Sequence, residues 1–288
     1  MKIGYNTNGF AHHRLEDTLA ILSELGYSSV AITLDHRCLN PFDPDIGEQA
    51  TRVRALLKIL KLSCVIETGA RFLLDPRRKH QPTLLSRHDD DRNLRLDFLL
   101  RAINLAALLE ADAVSFWSGT PAEPSPHALS PGGARGDDAC WKRLVGGCAK
   151  LCEEATKRGV RLAFEPEPGM FIDTMAKFAD LHSRVGHPSF GLTLDVGHLH
   201  CQDETPIADH IHRWKDWLWN VHIEDMRRGV HDHLMFGEGE MDFPPIVRAL
   251  GETNYAGGVH VELSRHSHDA VNTARRAMDF LRPLAINP

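Results

Sequence analysis

The chain has 288 residues, 42% hydrophobic and 25% charged, with a net charge of −6 and 18 histidines. That is ordinary globular composition, long enough for one large domain. The acidic balance argues against a non-specific nucleic-acid binder, which would be basic, and no run of 18 apolar residues offers a membrane span.

Residues 2–8 read as a strand that begins at once, without the apolar core of a secretory signal. Residues 14–25 carry Leu15, Leu19, Ile21, Leu22 and Leu25 at helical spacing and stop at Gly26. The alternation then repeats. Strands are expected at 29–35, 63–69, 113–119, 161–168, 190–198, 218–225 and 257–264. Helices are expected at 48–62, 93–110, 141–159, 174–185, 207–214, 243–250 and 269–281. Most strands are apolar on both faces, as buried parallel strands are. Eight such units in one chain predict an α/β fold, a single (β/α)8 TIM barrel over residues 1–288. No GxGxxG or GxxxxGK[ST] follows any strand, which disfavours nucleotide-binding folds. The six cysteines form no CxxC pair, so the thiols read as reduced and the protein as cytoplasmic.

Two long loops follow strands. One, residues 69–91, carries Arg71, Arg77, Arg78, Lys79, His80, Arg87 and His88, a solvated loop or a phosphate clamp; the other, 119–139, is rich in proline and glycine.

The polar residues concentrate at strand ends. Glu165, Asp195, His222 and Glu262 close four consecutive strands, with Glu67 and Asn6 at two others. In a barrel these ends converge on one rim. Taken singly, each is as readily a solvated loop acid; taken together, mutually repelling carboxylates call for a cation. Three carboxylates and an imidazole suit one divalent metal, Mn2+, Mg2+, Co2+ or Fe2+, with Zn2+ also compatible. His198, three residues past Asp195, is a candidate for a substrate oxygen or a second metal. Trp117 is a candidate for stacking on a sugar face.

The stretches FEPEPG, LDVGH, VHIED, HDHLMFGEGEMDF and VHVELS resemble the xylose isomerase-like barrel superfamily, which includes sugar and sugar-phosphate isomerases, epimerases, inosose dehydratases and the endonuclease IV group. The resemblance implies that Glu165, Asp195, His222 and Glu262 ligate one metal, and that Glu165 and Glu262 also act as acid and base, with His198 near a substrate oxygen. It implies a substrate contact from Arg228, or Arg227 in its place; Glu67, Glu167 and His233 are further candidates for substrate contact. A further metal is implied at His198, His231 and His233. The implied substrate is a small carbohydrate, handled through an enediolate, and the implied assembly a homo-dimer or homo-tetramer. The chain departs from the pattern at Phe171, where a sugar-contacting glutamate stands in epimerases, leaving Glu167 as its substitute. It departs again at Glu224, where many relatives carry lysine. A dehydratase shares the same enolate chemistry. An endonuclease-type phosphodiesterase fits less well, because the expected strands at 29–35, 63–69 and 113–119 lack the histidines of that group. A non-catalytic barrel ranks last.

Overall fold

The computed structural model describes residues 1–120 and 134–286. The loop expected at 119–139 falls largely on residues outside these. Eight parallel strands close a barrel: β1 (Lys2–Asn6), β2 (Ser29–Thr33), β3 (Ser63–Glu67), β4 (Val114–Phe116), β5 (Leu162–Phe164), β6 (Phe190–Asp195), β7 (Leu218–Ile223) and β10 (Gly258–Val261), which pairs back with β1. Around them run α1 (Leu15–Glu24), α2 (Ile46–Leu60), α3 (Asp89–Leu109), α4 (Ala134–Arg158), α5 (Met175–Val185), α7 (Ile207–Trp214), α8 (Phe243–Glu252) and α9 (Ala270–Ile286). The fold is the single (β/α)8 barrel that the alternation implied. Among the described residues, no helix is long and apolar enough to cross a membrane.

The strands stop earlier than their polar tails. The ladder at β5 ends at Phe164, so Glu165 to Pro168 stand beyond it and turn into the mouth. Two additions decorate the same rim: α6 (Val196–Cys201), one short helix directly after β6, and an antiparallel hairpin of β8 (Asp225–Arg227) and β9 (Val230–Leu234). Gly229 makes the hairpin turn at φ +69°, and its N–H donates to Cys201 O at 2.8 Å, tying hairpin to helix.

The main core lies between sheet and helices. Under β4 to β6, Phe116, Phe164, Phe178 and Phe190 pack ring against ring, with Phe164 5.2 Å from Phe116 and 5.8 Å from Phe190. Burial of each contributes about 1.5–3 kcal/mol, and this anchors the strands that present Glu165 and Asp195. The lumen is different. A small apolar cluster of Ala31, Val65, Ala113 and Ala163 shares it with buried polar groups. Ser29 Oγ lies 2.9 Å from His260 Nε2, and Thr193 Oγ1 donates to Ser115 Oγ at 3.0 Å. Gly4 is required here, because a Cβ would stand 2.2 Å from the His260 ring.

Candidate active site

Strand register builds the floor of the mouth. Inward residues recur at every second position, so β7 stacks Asn220 beneath His222, and β10 stacks His260 beneath Glu262 just past its end. His260 Nδ1 lies 2.8 Å from Asn220 Oδ1, and Asn220 Nδ2 lies 2.9 Å from Glu67 Oε1 and 3.1 Å from His222 Nε2. A buried polar column thus supports the imidazole from below.

His222 presents two unlike faces. Its Nε2 lies 2.9 Å from Glu67 Oε1, a contact that orients the ring. Its Nδ1 faces Glu165 Oε1 at 2.9 Å, Glu262 Oε2 at 3.0 Å and Asp195 Oδ2 at 3.9 Å. The donor atoms of Glu165, Asp195, His222 and Glu262 all lie within 4.8 Å of one another. Asp195 caps α6, accepting the His198 N–H on Oδ1 at 2.8 Å, while its buried Oδ2 has no hydrogen-bond partner among the described residues. Among the described residues, no lysine or arginine pairs with any of the four. Burial pushes Glu165 up to about 7, against the pull of His222. Burial also raises Glu262, but His222, with His233 and His198, overrides it and holds Glu262 well below the usual carboxylate range.

A second cluster flanks the first. The short α6 brings His198 inward, and β9 brings His231 and His233 to meet it, with donor atoms again within 4.8 Å of one another. His198 Nε2 and His231 Nε2 are 3.0 Å apart, and His198 Nδ1 is 3.2 Å from Pro166 O. Glu167 approaches both, at 3.8 Å from His198 and 3.7 Å from His231. Burial pushes His198 down to about 4. Glu224 is fully buried beside this cluster, 3.7 Å from His233 Nδ1, both oxygens lacking a hydrogen-bond partner among the described residues. Gly197 makes room for it, since a Cβ there would stand 2.0 Å from Glu224 Oε1.

The chamber above the floor has a volume of about 320 Å3. Its far wall comes from the segments after β3 and β4: Arg71, Lys79, His80 and Trp117. Arg95, buried on α3, holds that wall. Its Nε donates to Pro82 O at 2.7 Å, Nη2 to His80 O at 2.7 Å and Nη1 to Thr68 O at 3.5 Å, and the guanidinium lies 5.0 Å from the Trp117 ring. Among the described residues no carboxylate pairs with it, and burial pushes it down to about 9.

Of the residues expected at the site, Glu165, Asp195, His222 and Glu262 converge, as do His198, His231 and His233. Glu67, Glu167 and Trp117 line the chamber, Glu67 chiefly as the partner of His222. Arg228 is not brought there. It sits at the hairpin turn, mostly exposed and paired with Asp203 at 3.3 Å, because Gly229 turns the chain away from the mouth. Arg227 is likewise outside, donating to Glu238 O at 2.9 Å. Phe171 packs on Trp141 at 5.4 Å, so Glu167 is the acid that faces the chamber on this side. Sequence reasoning missed Asn8, Asn220, His260 and Arg95. The two-residue period on β7 and β10 was a usable signal for Asn220 and His260; a lone arginine within a helix offers none for Arg95.

The sequence pattern of the xylose isomerase-like TIM barrel matches residues 19–284. Fructoselysine 3-epimerase of Shigella flexneri is 26% identical over 292 residues, covering 99% of this chain and 98% of that protein. Inosose dehydratase of Lacticaseibacillus casei is 28% identical over 139 residues, 42% of this chain and 46% of that protein, so the matched segment spans less than half the length of the dehydratase. Among solved structures, 3-keto-D-glucoside 4-epimerase from E. coli superposes with a TM-score of 0.76 at 19% identity, over 98% of this chain and 99% of that one. With a family pattern that runs through nearly all of its length and a closed eight-stranded barrel to match, the chain belongs to the xylose isomerase-like TIM barrel family.

Proposed function

We propose that the protein is a divalent-metal-dependent epimerase or isomerase that moves a proton next to the carbonyl of a ketose or related polyhydroxy compound. One observation carries this: Glu165, Asp195, His222 and Glu262 gather their donor atoms within 4.8 Å around the unpartnered Asp195 Oδ2. Buried carboxylates without a cation are costly, and this donor set fits Mn2+, Mg2+, Co2+ or Fe2+, with Zn2+ compatible. A divalent ion held by these four residues supplies Lewis-acid stabilisation of the negative charge that develops on substrate oxygens, worth several kcal/mol.

The chain's own groups supply the proton transfers. Glu165 follows β5 and Glu262 follows β10, so their carboxylates reach the chamber from different sides. One of the two, Glu262, oriented by the Asn8 Nδ2 donor at 2.8 Å, or Glu165 across from it, removes the proton from carbon, and the other returns one. Return to the opposite face of the same carbon inverts it; return to the neighbouring carbon isomerises the sugar.

The flanking cluster favours a second reading on its own evidence. His198, His233 and Glu167 extend titratable groups beyond the two glutamates, and an acid there, at a β-hydroxyl, would turn the same enolate toward dehydration. The same three imidazoles, His198, His231 and His233, are the set that would hold a second cation.

The test is exchange of substrate C–H for solvent deuterium, followed by NMR on a ketose panel with Mn2+ added. Glu165→Gln and Glu262→Gln should each slow exchange by about 100-fold or more with circular dichroism unchanged. Full exchange in either variant defeats the mechanism. Elemental analysis sharpens it: one ion per chain fits the four-residue site, two add the imidazole site, and three would favour phosphodiester hydrolysis.

A further inference from the structure

Beside the chamber lies a second cavity of about 240 Å3, set between the 3-10 turn Thr7–Phe10, the segment after β2 and Arg71. The two cavities share Asn8, Thr33 and Arg71 as wall residues. Their charges differ. The chamber presents four carboxylates, Glu67, Glu165, Glu167 and Glu262, beside Lys79 and Arg265. The side cavity presents two guanidinium groups, Arg37 and Arg71, two imidazoles, His13 and His36, and one carboxylate, Asp35. That carboxylate is engaged, accepting the His36 N–H at 2.7 Å and standing 3.7 Å from Arg71. Arg37 has no acidic partner among the described residues. Phe10 and Leu15 give the cavity an apolar base suited to a carbon chain.

Arg71 stands at the doorway, and its backbone is strained. Ala70 and Arg71 hold φ of 42° and 39°, in the left-handed region. Such residues cost on the order of 1–3 kcal/mol each and persist where the surroundings enforce them. Here the enforcement is Arg95, which grips the carbonyls on both sides of the loop, and Asn8, whose carbonyl accepts from Arg71 Nη2 at 3.4 Å. Asn8 also links the cavities chemically. Its Nδ2 orients Glu262, and its buried Oδ1 has no partner among the described residues, leaving an acceptor for a substrate hydroxyl.

We propose that the substrate is a sugar extended by a substituent that ends in an anion, carboxylate or phosphate, which Arg71 and Arg37 receive in the side cavity. The two guanidinium groups attract that end and the apolar base takes the chain before it, so one orientation is favoured. This rests on reading the chamber as a sugar site.

The experiment compares a neutral ketose, its terminal phosphate and a ketose N-linked to an ω-amino acid carboxylate in the deuterium-exchange assay. The anionic compounds should show kcat/KM about tenfold or more above the neutral parent, the scale of one charge-assisted contact. The gain should sit in KM and vanish in Arg71→Gln and Arg37→Gln. A gain for the phosphate alone, or for the carboxylate alone, identifies which anion is received. Equal or better turnover of the neutral ketose, or variants that leave the ratio unchanged, overturns the proposal while leaving the sugar reading intact. Should no ketose exchange, the sugar reading fails, and calorimetric titration of inorganic phosphate and of glutarate into metal-free protein decides the cavity separately. Binding of either that is lost in the Arg71→Gln/Arg37→Gln double variant supports an anion site there; binding of neither overturns it.

Discussion

The two sides of the barrel mouth are built on different principles. From β5 round to β10, the polar groups stand at or just past strand ends: Asp195 closes β6, His222 lies within β7, and Glu165 and Glu262 each follow their strand by one residue. Register alone places them, and the aromatic packing beneath β4 to β6 keeps them there. From β1 to β4, Asn6 and Glu67 still close their strands, but the outer wall of Arg71, Lys79 and His80 rides on the segment after β3, held by a single buried cation, Arg95. A reaction needs donor atoms fixed to fractions of an ångström, which strands supply. Recognition of a variable substrate tail tolerates loops, which can change without disturbing the barrel.

The strongest way to break this division is to strike the strand-built side and look for an echo in the loops. Asp195→Asn keeps the oxygen that accepts the His198 N–H, so the α6 cap survives, but it removes a charge from the four-residue cluster. Metal affinity, measured by titration calorimetry, should fall by about 100-fold or more, since even outer-shell losses cost about 10–100-fold. Hydrogen exchange across residues 69–83 should stay as it is. A loop that loosened with the variant would show the two sides to be one unit.

The converse strikes the loop side. Arg95→Leu strips donors from the carbonyls of Thr68, His80 and Pro82. Each carbonyl left unsatisfied costs about 1–3 kcal/mol, partly relieved by water entering as the loop opens. Global stability should drop by about 2–4 kcal/mol, with amide protection lost at 69–83. Arg95→Lys should recover only part, because an ammonium cannot span three carbonyls as a planar fork does. KM for substrate should rise while metal affinity holds. Loss of metal binding in Arg95→Lys would contradict the separation.

The same division explains what could be read from sequence. Each expected element is present, because apolar period and length speak for whole strands and helices. The four converging residues were legible for a topological reason: in a barrel of parallel strands, every C-terminal end faces the same way, so a polar residue at such an end has one place to be. His231 and His233 were legible only through resemblance. The hairpin that carries them has strands of three and five residues, too short for a period to declare itself. Arg228 was misplaced for the same reason, since one glycine turn decides which way the chain points. Arg95 was invisible: a charged residue on an expected helix reads as solvated, and only the loop folded over it shows otherwise.

The smallest expected effect tests how firmly that loop is held. His80 has φ 64°, its Nδ1 contacts Gly69 O, and its ring meets Trp117 edge to face at 5.2 Å. Burial, with the neighbouring Lys79 charge, pushes its pKa from 6.5 down to about 4. The unfolded or opened loop therefore binds a proton at a pH where the closed loop does not. Stability from this group is complete above about pH 6.5 and is lost as pH falls toward 4, by at most about 2 kcal/mol between pH 7 and pH 5. Hydrogen exchange at residues 69–83, measured at pH 7 and pH 5 after correction for intrinsic rates, should show the loop opening more often at pH 5. His80→Asn should flatten that dependence. An acid response at residues 69–83 that survives His80→Asn would assign it to another group and show that the loop does not answer to this imidazole.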